Sequence, residues 1–312
     1  MKLIVTGSIA YDYLMSFPGK FTEHFLAEHM QRLSVSFLVD SMDKRRGGCA
    51  PNIAYTLALL GERPYLMGTA GQDFGEYRDW LHTAGVDTSL VMQVPDKFTA
   101  SFFCTTDTDN NQIASFYTGA MAHAAELSFR TIDAPELIIV SPNDPAAMMQ
   151  YAEECRMLRI PYMFDPGQQC ARMSGPELKD GLVGAQILIC NDYELELIRQ
   201  KTGMDESEIL AVTEALVVTR GEDGCSIYSA DSRVDVKAVM SDRVVDPTGV
   251  GDAFRGGFMK GLAAKEPYKL CAQLGAVAAT YALEHLGGQS HAFTKGEFRT
   301  RYEEHFGSFP NG

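Results

Sequence analysis

Four short runs of β-branched and apolar residues recur in the second half of the chain: Leu137-Ile138-Ile139-Val140, Pro161-Tyr162-Met163-Phe164, Ile187-Leu188-Ile189-Cys190 and Leu216-Val217-Val218-Thr219. Their starts lie 24, 26 and 29 residues apart, and the intervals hold helical stretches such as residues 146 to 158. This is the rhythm of βαβ units around a parallel sheet buried on both faces. Each run ends in a polar turn cluster: Ser141-Pro142-Asn143-Asp144, Asp165-Pro166-Gly167, Asn191-Asp192-Tyr193-Glu194 and Arg220-Gly221-Glu222-Asp223-Gly224. Open α/β sheets bind ligands beyond the carboxyl ends of their strands, so the pattern gathers polar loops along one edge. The predicted class is α/β, a doubly wound and mostly parallel sheet flanked by helices.

The first half is organised differently. Residues 3 to 7 read as a first strand ending in a turn, and Gly47-Gly48-Cys49-Ala50-Pro51-Asn52 leads into a buried helix that Gly61 caps. Residues 33 to 40, and 98 to 106 with 112 to 118 joined through Asp107-Thr108-Asp109-Asn110-Asn111, read as strands and a hairpin. With residues 13 to 17 they are expected to form a small separate sheet.

With 46% hydrophobic and 22% charged residues the 312-residue chain reads as globular, and no apolar run approaches the ~20 residues of a membrane span. The amino-terminal apolar run is too short for a secretion signal, so a cytoplasmic protein is expected. Seven cysteines form no Cys-x-x-Cys pair and histidines are scattered, which favours buried thiols over disulfides or a zinc site. A net charge of −14 argues against nucleic-acid and anionic-membrane partners. Any bound anion must therefore be held by local features.

Asp246-Pro247-Thr248-Gly249-Val250-Gly251-Asp252-Ala253-Phe254 supplies such a feature. If a helix starts near Val250, its unpaired N–H groups converge beside the Asp252 carboxylate, and the dipole stabilises an anion there. A carboxylate in that turn can take the proton of an incoming hydroxyl, which points to phosphoryl transfer onto an alcohol. The dinucleotide fingerprint fails because Phe254 stands where a third glycine is needed, and no Gly-Lys-Ser/Thr follows for a Walker loop.

The nine-residue run resembles the second signature of the ribokinase-like (PfkB) carbohydrate and nucleoside kinases, with Val250 where alanine is usual. The resemblance covers essentially the whole chain. It implies a ribokinase-like body of residues 1–12, 47–95 and 119–312, carrying a β-sheet lid of residues 13–46 and 96–118. It assigns Asp252 as base, with the amides of Gly249, Val250 and Gly251 as anion cradle. Gly47, Gly48 and Asn52 resemble the first signature that holds sugar hydroxyls, and Asp12 matches the acid that binds the sugar diol. Asn191 and Glu194 are similar to the Asn-x-x-Glu motif near Mg2+ and phosphates, with Glu194 reaching the metal through water. Thr219, Arg220, Gly221 and Gly224 resemble the nucleotide-binding turn, and the resemblance assigns Thr248 to nucleotide binding as well. ATP and Mg2+ are the implied cofactors, with K+ as a candidate monovalent cation that orders this loop in several relatives.

Cys49 replaces a lysine common in ribokinases, and Asp165-Pro166-Gly167-Gln168 replaces an Asp-Pro-Asn loop. The opening Gly7-Ser8-Ile9-Ala10-Tyr11-Asp12 and the Gly71-Gln72-Asp73-Phe74-Gly75 segment look like a bacterial branch labelled adenosine kinase. Aromatic residues crowd the expected lid, and Phe102 and Phe116 are the candidates for stacking on a base at ~1 to 3 kcal/mol. The leading expectation is phosphorylation of a nucleoside 5′-hydroxyl, adenosine to AMP. A sugar kinase and a non-catalytic nucleotide- or nucleoside-binding protein are the alternatives. Arg220 and Arg255 are candidate phosphate clamps, each weighed against an ordinary surface ion pair. A homodimer through the exposed lid sheet is expected.

Overall fold

The computed structural model describes residues 2–24 and 34–309. In chain order its elements are β1 (Leu3–Thr6), β2 (Ala10–Ser16), β3 (Ser41–Gly47), α1 (Cys49–Leu59), β4 (Tyr65–Gly71), α2 (Gly75–Thr83), β5 (Asp87–Val94), β6 (Ala100–Thr106) and β7 (Gln112–Tyr117). They continue with β8 (Leu137–Val140), α3 (Pro145–Leu158), β9 (Tyr162–Phe164), α4 (Gly175–Leu182), β10 (Ile187–Asn191), α5 (Asp192–Thr202), α6 (Glu206–Leu210) and β11 (Ala215–Thr219). The last are β12 (Cys225–Ser229), β13 (Ser232–Val236), α7 (Val250–Ala263), α8 (Tyr268–Leu283) and α9 (Lys295–Phe306).

The large sheet runs β13-β12-β11-β10-β9-β8-β1-β4-β5 and is parallel except at β12. Buried cores line its two faces, with Val5, Ile139, Met163 and Ile189 on one and Ile4, Ile138, Phe164 and Leu188 on the other. That two-sided burial is why these strands read as continuous apolar runs. From β1 the chain winds outward to β4 and β5, then returns to β8 on the other side, so strand order reverses between β1 and β8. Loops diverge at such a point and leave a crevice. Here it lies beyond Thr6 and Val140, where Ser8 N–H donates to Pro142 O at 2.8 Å.

A separate four-stranded sheet runs β3-β2-β6-β7. Asp12 and Gly47 therefore belong to the small sheet's strands. The strand expected at 33–40 is not formed: Leu33 lies outside the described residues, and 34–40 carry no strand. The strand falls instead on Ser41-Met42-Asp43-Lys44-Arg45-Arg46-Gly47, an edge position where charged side chains keep the exposed face wet and discourage unwanted pairing. Phe37 joins an aromatic cluster with Phe17 and Phe21.

Helices α7 and α8 pack along their length, and glycines set their approach: a Cβ on Gly257 would stand 2.6 Å from Leu274 O and 2.7 Å from Gly275 Cα. Gly257→Val is expected to cost about 1–3 kcal/mol by overpacking. Urea unfolding monitored by circular dichroism checks this; an unchanged midpoint would mean that α8 yields freely.

Candidate active site

Gly249 caps α7 in the left-handed region (φ 77°), and a Cβ there would stand 2.5 Å from Gly288 Cα. Both the backbone conformation and the close approach require glycine. The Val250 N–H turns back to Pro247 O at 3.3 Å. Those of Gly249, Gly251 and Asp252 find no acceptor among the described residues. Of the amides expected to hold an anion, those of Gly249 and Gly251 are thus free and that of Val250 is engaged, while the amide of Asp252 is free as well. Asp246 fixes the loop from below, accepting from Thr248 N–H and Gly287 N–H, each at 2.9 Å. Burial pushes the Asp246 carboxyl up, but these bonds and Arg45 at 3.4 Å hold it below the usual carboxylate range.

Asp252 sits half-buried in the first turn of α7, and Asn52 Nδ2 donates to its Oδ2 at 2.8 Å. Burial pushes its carboxyl up to about 7, against the Asn52 hydrogen bond and the Arg255 charge, which pull down, while Asp165 adds to the rise. That value suits a base working near neutral pH.

Two cavities meet at this turn. One, of about 480 Å³, is lined by Asp12, Gly48, Asn52, Phe102, Phe116, Thr248, Gly249 and Asp252. Asp12, Phe102 and Phe116 are register partners across β2, β6 and β7, so their side chains share one face. No described residue donates to the Asp12 carboxylate, and burial raises it to about 6 despite Arg45 nearby. A Cβ on Gly47 would stand 2.4 Å from Asp12 Oδ2, and one on Gly48 2.4 Å from Ser8 O, so both glycines serve close approach.

The other cavity, of about 500 Å³, is lined by Asn191, Thr219, Gly221, Gly224, Val250 and Gly251, with apolar residues of α8 behind. Gly224 has φ 88°, and its missing Cβ leaves room for Val236 O. Arg220 is not part of this lining. Its guanidinium is held by the Ser226 hydroxyl and by Tyr228 OH at 3.0 Å, so it is no free clamp. Asn191 and Glu194 form a reciprocal cap on α5, with Glu194 Oε2 accepting Asn191 N–H at 2.8 Å. Burial raises the Glu194 carboxyl, and the Asp165 charge adds to it. Arg255 is buried, donates to both oxygens of Asp165 (Nη2 to Oδ1 at 2.7 Å), and lies 4.0 Å from Glu194. It is a buried ion pair, neither a clamp nor a surface pair.

A model of the family described as pfkB family carbohydrate kinase matches residues 9–295. The chain belongs to this family. As such it is an ATP-dependent kinase of the nucleoside and carbohydrate class. It is similar to the nucleoside kinase of Methanothermobacter thermautotrophicus, 30% identical over 99% of this chain and 97% of that one. The nucleoside kinase of Burkholderia thailandensis, solved in complex with inosine, is 38% identical with a TM-score of 0.89, covering 99% of this chain and 100% of that one. Its complex with ADP-inosine has a TM-score of 0.87 over 99% and 98%. The Methanocaldococcus jannaschii nucleoside kinase structure, 27% identical, has a TM-score of 0.88 over 98% and 99%.

Some residues of this kinase site carried no signal of their own in the sequence. Gln168, Gln169 and Arg172 line the first cavity from the turn after β9, and Gln169 Oε1 is buried with no hydrogen-bond partner among the described residues. The departure at Gly167-Gln168 was the available clue. Cys49 also faces this cavity, its thiol kept neutral by burial.

The acid limb of kcat/KM for the acceptor is expected near pH 7, because a base must be deprotonated to work: activity should fall about tenfold per unit below that pH and level off above it. Asp252→Asn should lower turnover by ~10² to 10⁴ with folding intact. Activity within a few-fold of wild type would remove Asp252 from the role.

Proposed function

We propose that the chain transfers the γ-phosphoryl group of ATP to the 5′-hydroxyl of a nucleoside, adenosine foremost, to give AMP. The observation that carries this reading is the single row of Asp12, Phe102 and Phe116 on the cavity face of the small sheet. An acidic acceptor for a ribose diol beside two aromatic rings suits a sugar with a base attached, since free ribose offers little flat apolar surface. Gln169 adds a buried amide whose unpartnered oxygen can accept an N–H from a purine edge. The likeness to nucleoside kinases, one of them solved in complex with inosine, supports the same substrate class.

In this reading Asp252 accepts the 5′-hydroxyl proton as that oxygen attacks the γ-phosphorus and ADP departs. The amides of Gly249, Gly251 and Asp252 stabilise the charge on the phosphoryl group in transit. Mg2+ arriving with the nucleotide would neutralise phosphate charge. Glu194, with Oε2 held by Asn191 and no described donor on Oε1, suits holding it through water. Closure of the small sheet would exclude water as a competing acceptor.

ADP release with a panel of adenosine, inosine, ribose and fructose tests the assignment. Adenosine should far exceed ribose, and Phe102→Ala or Phe116→Ala should narrow that gap by ~1 to 3 kcal/mol. Asp12→Ala should raise the KM of the acceptor more than that of ATP. Ribose or fructose turned over as well as adenosine would favour the sugar-kinase reading, and absent turnover on every acceptor would leave a binding protein.

We also propose the homodimer through the small sheet. Met42, Phe103, Ile113 and Tyr117 share the face opposite the cavity row and are 36–59% exposed. An apolar face with two open edges suits a two-fold partner. Phe103→Glu with Ile113→Glu is expected to give monomers by sedimentation; a monomeric wild type would overturn the pairing.

A further inference from the structure

We propose that Trp80 and Gln289 are positioning residues for the transfer, because they dictate which end of the Asn52 amide faces the base. An asparagine beside a carboxylate can present either its N–H, which stabilises the anion, or its oxygen, which repels it. Which one it presents here is decided two residues away. The Trp80 indole N–H, from the only tryptophan of the chain, can only donate, and it lies 3.3 Å from Gln289 Oε1. With its oxygen fixed there, Gln289 turns Nε2 towards Asn52 Oδ1 at 2.9 Å and towards Tyr77 OH. Tyr77 in turn donates to Gly47 O at 2.8 Å, so its hydroxyl is the acceptor for Gln289. Asn52, its oxygen engaged, has only its N–H left for Asp252 Oδ2. Reversing Gln289 would set two donors head to head at Trp80 and two acceptors head to head at Asn52.

Burial enforces this order. Gln289 and Asn52 are each 5% exposed and Tyr77 is fully buried, so water cannot easily replace a lost partner. The relay spans α2, α1 and the loop after α8, and it ends on the one carboxylate in the anion-binding turn. It favours the deprotonated form of Asp252, as does a hydrogen bond from the Cys49 thiol. The other groups facing Asp252 are Arg255 from its own helix, Asp165 from the loop after β9 and the neutral Cys49 thiol of α1, with Glu194 beyond Arg255. None of them belongs to the relay, so all remain in place when it is altered.

The inference rests on Asp252 serving as the base, and the experiment separates the two. The pH profile of kcat/KM for the nucleoside is measured for Gln289→Met, which removes the amide at similar shape, and for Gln289→Glu, which offers only acceptors to Asn52. Trp80→Phe is measured alongside, although its loss of the Arg46 guanidinium contact, 4.2 Å from the ring, weighs on folding as well. The acid limb should move to higher pH by about one unit in Gln289→Met and at least as far in Gln289→Glu, the size expected for losing a hydrogen bond to a charged group. The KM for ATP should stay within about twofold, since the relay reaches only the Asp252 side chain and includes none of the residues lining the second cavity. A merely structural role would lower the melting temperature and leave the limb where it is. If Asp252→Asn is inactive and neither Gln289 variant moves the limb, the relay is overturned alone. If Asp252→Asn retains wild-type activity, the base assignment falls and the relay with it.

Discussion

Where helix α7 begins decides the chemistry. In the proposed reaction its first turn offers free N–H groups to an anion and a carboxylate to an alcohol in the same few ångströms, and both depend on a left-handed residue at Gly249. The contact with Gly288 leaves no room for a side chain, and Asn52 packs against the same glycine. A helix starting one residue earlier or later would rotate Asp252 by about 100° away from Asn52. The two glycines and Asn52 thus set the rotation of the helix, and the helix sets the reacting groups.

A net charge of −14 is a poor setting for a polyphosphate. The buried arginine does not resolve this, because Arg255 is balanced by Asp165 and faces Glu194 as well. Its contribution is to keep acidic groups close to the site without their mutual repulsion disrupting it, and removing one partner of such a buried pair typically costs ~3–5 kcal/mol. Attraction for the phosphates has to come from backbone amides, which carry partial charge without side-chain ionisation. This suits a site that also needs an uncharged-to-charged balance at Asp252 near neutral pH.

What the sequence disclosed follows the range of each interaction. Strands β8 to β11 were legible because two-sided burial writes an uninterrupted apolar run, and the start of α7 because Pro247, Gly249 and Gly251 have local backbone reasons. Strand β3 was misplaced because an edge strand of Asp, Lys and Arg has no apolar alternation, while the nearby apolar residues at 33 to 40 carried a false one. Arg255 was weighed as a clamp because its partner lies 90 positions away and only the fold brings Asp165 to it. Gln289 and Tyr77 gave no sign at all: a lone amide and a lone phenol acquire meaning only through partners 209 to 237 positions distant.

In the proposed reaction the cavity row of the small sheet would couple recognition to the anion loop. Phe116, Phe102, Asp12 and Arg45 are successive partners across β7, β6, β2 and β3, so hydrogen-bonded strands carry them as one body. The first three face the acceptor cavity, while Arg45 reaches Asp246, which holds Thr248 and Gly287 in place under the cradle. On that reading, a movement of the sheet that brings rings and carboxylate onto an acceptor would also move the arginine against the proposed phosphate loop. Since Asp246 holds Thr248 and Gly287 through two backbone bonds that do not involve Arg45, the loop has support of its own apart from the sheet. The ion pair between partly exposed groups then adds only a modest bias towards the closed arrangement, and most of the energy for closure must come from the acceptor itself.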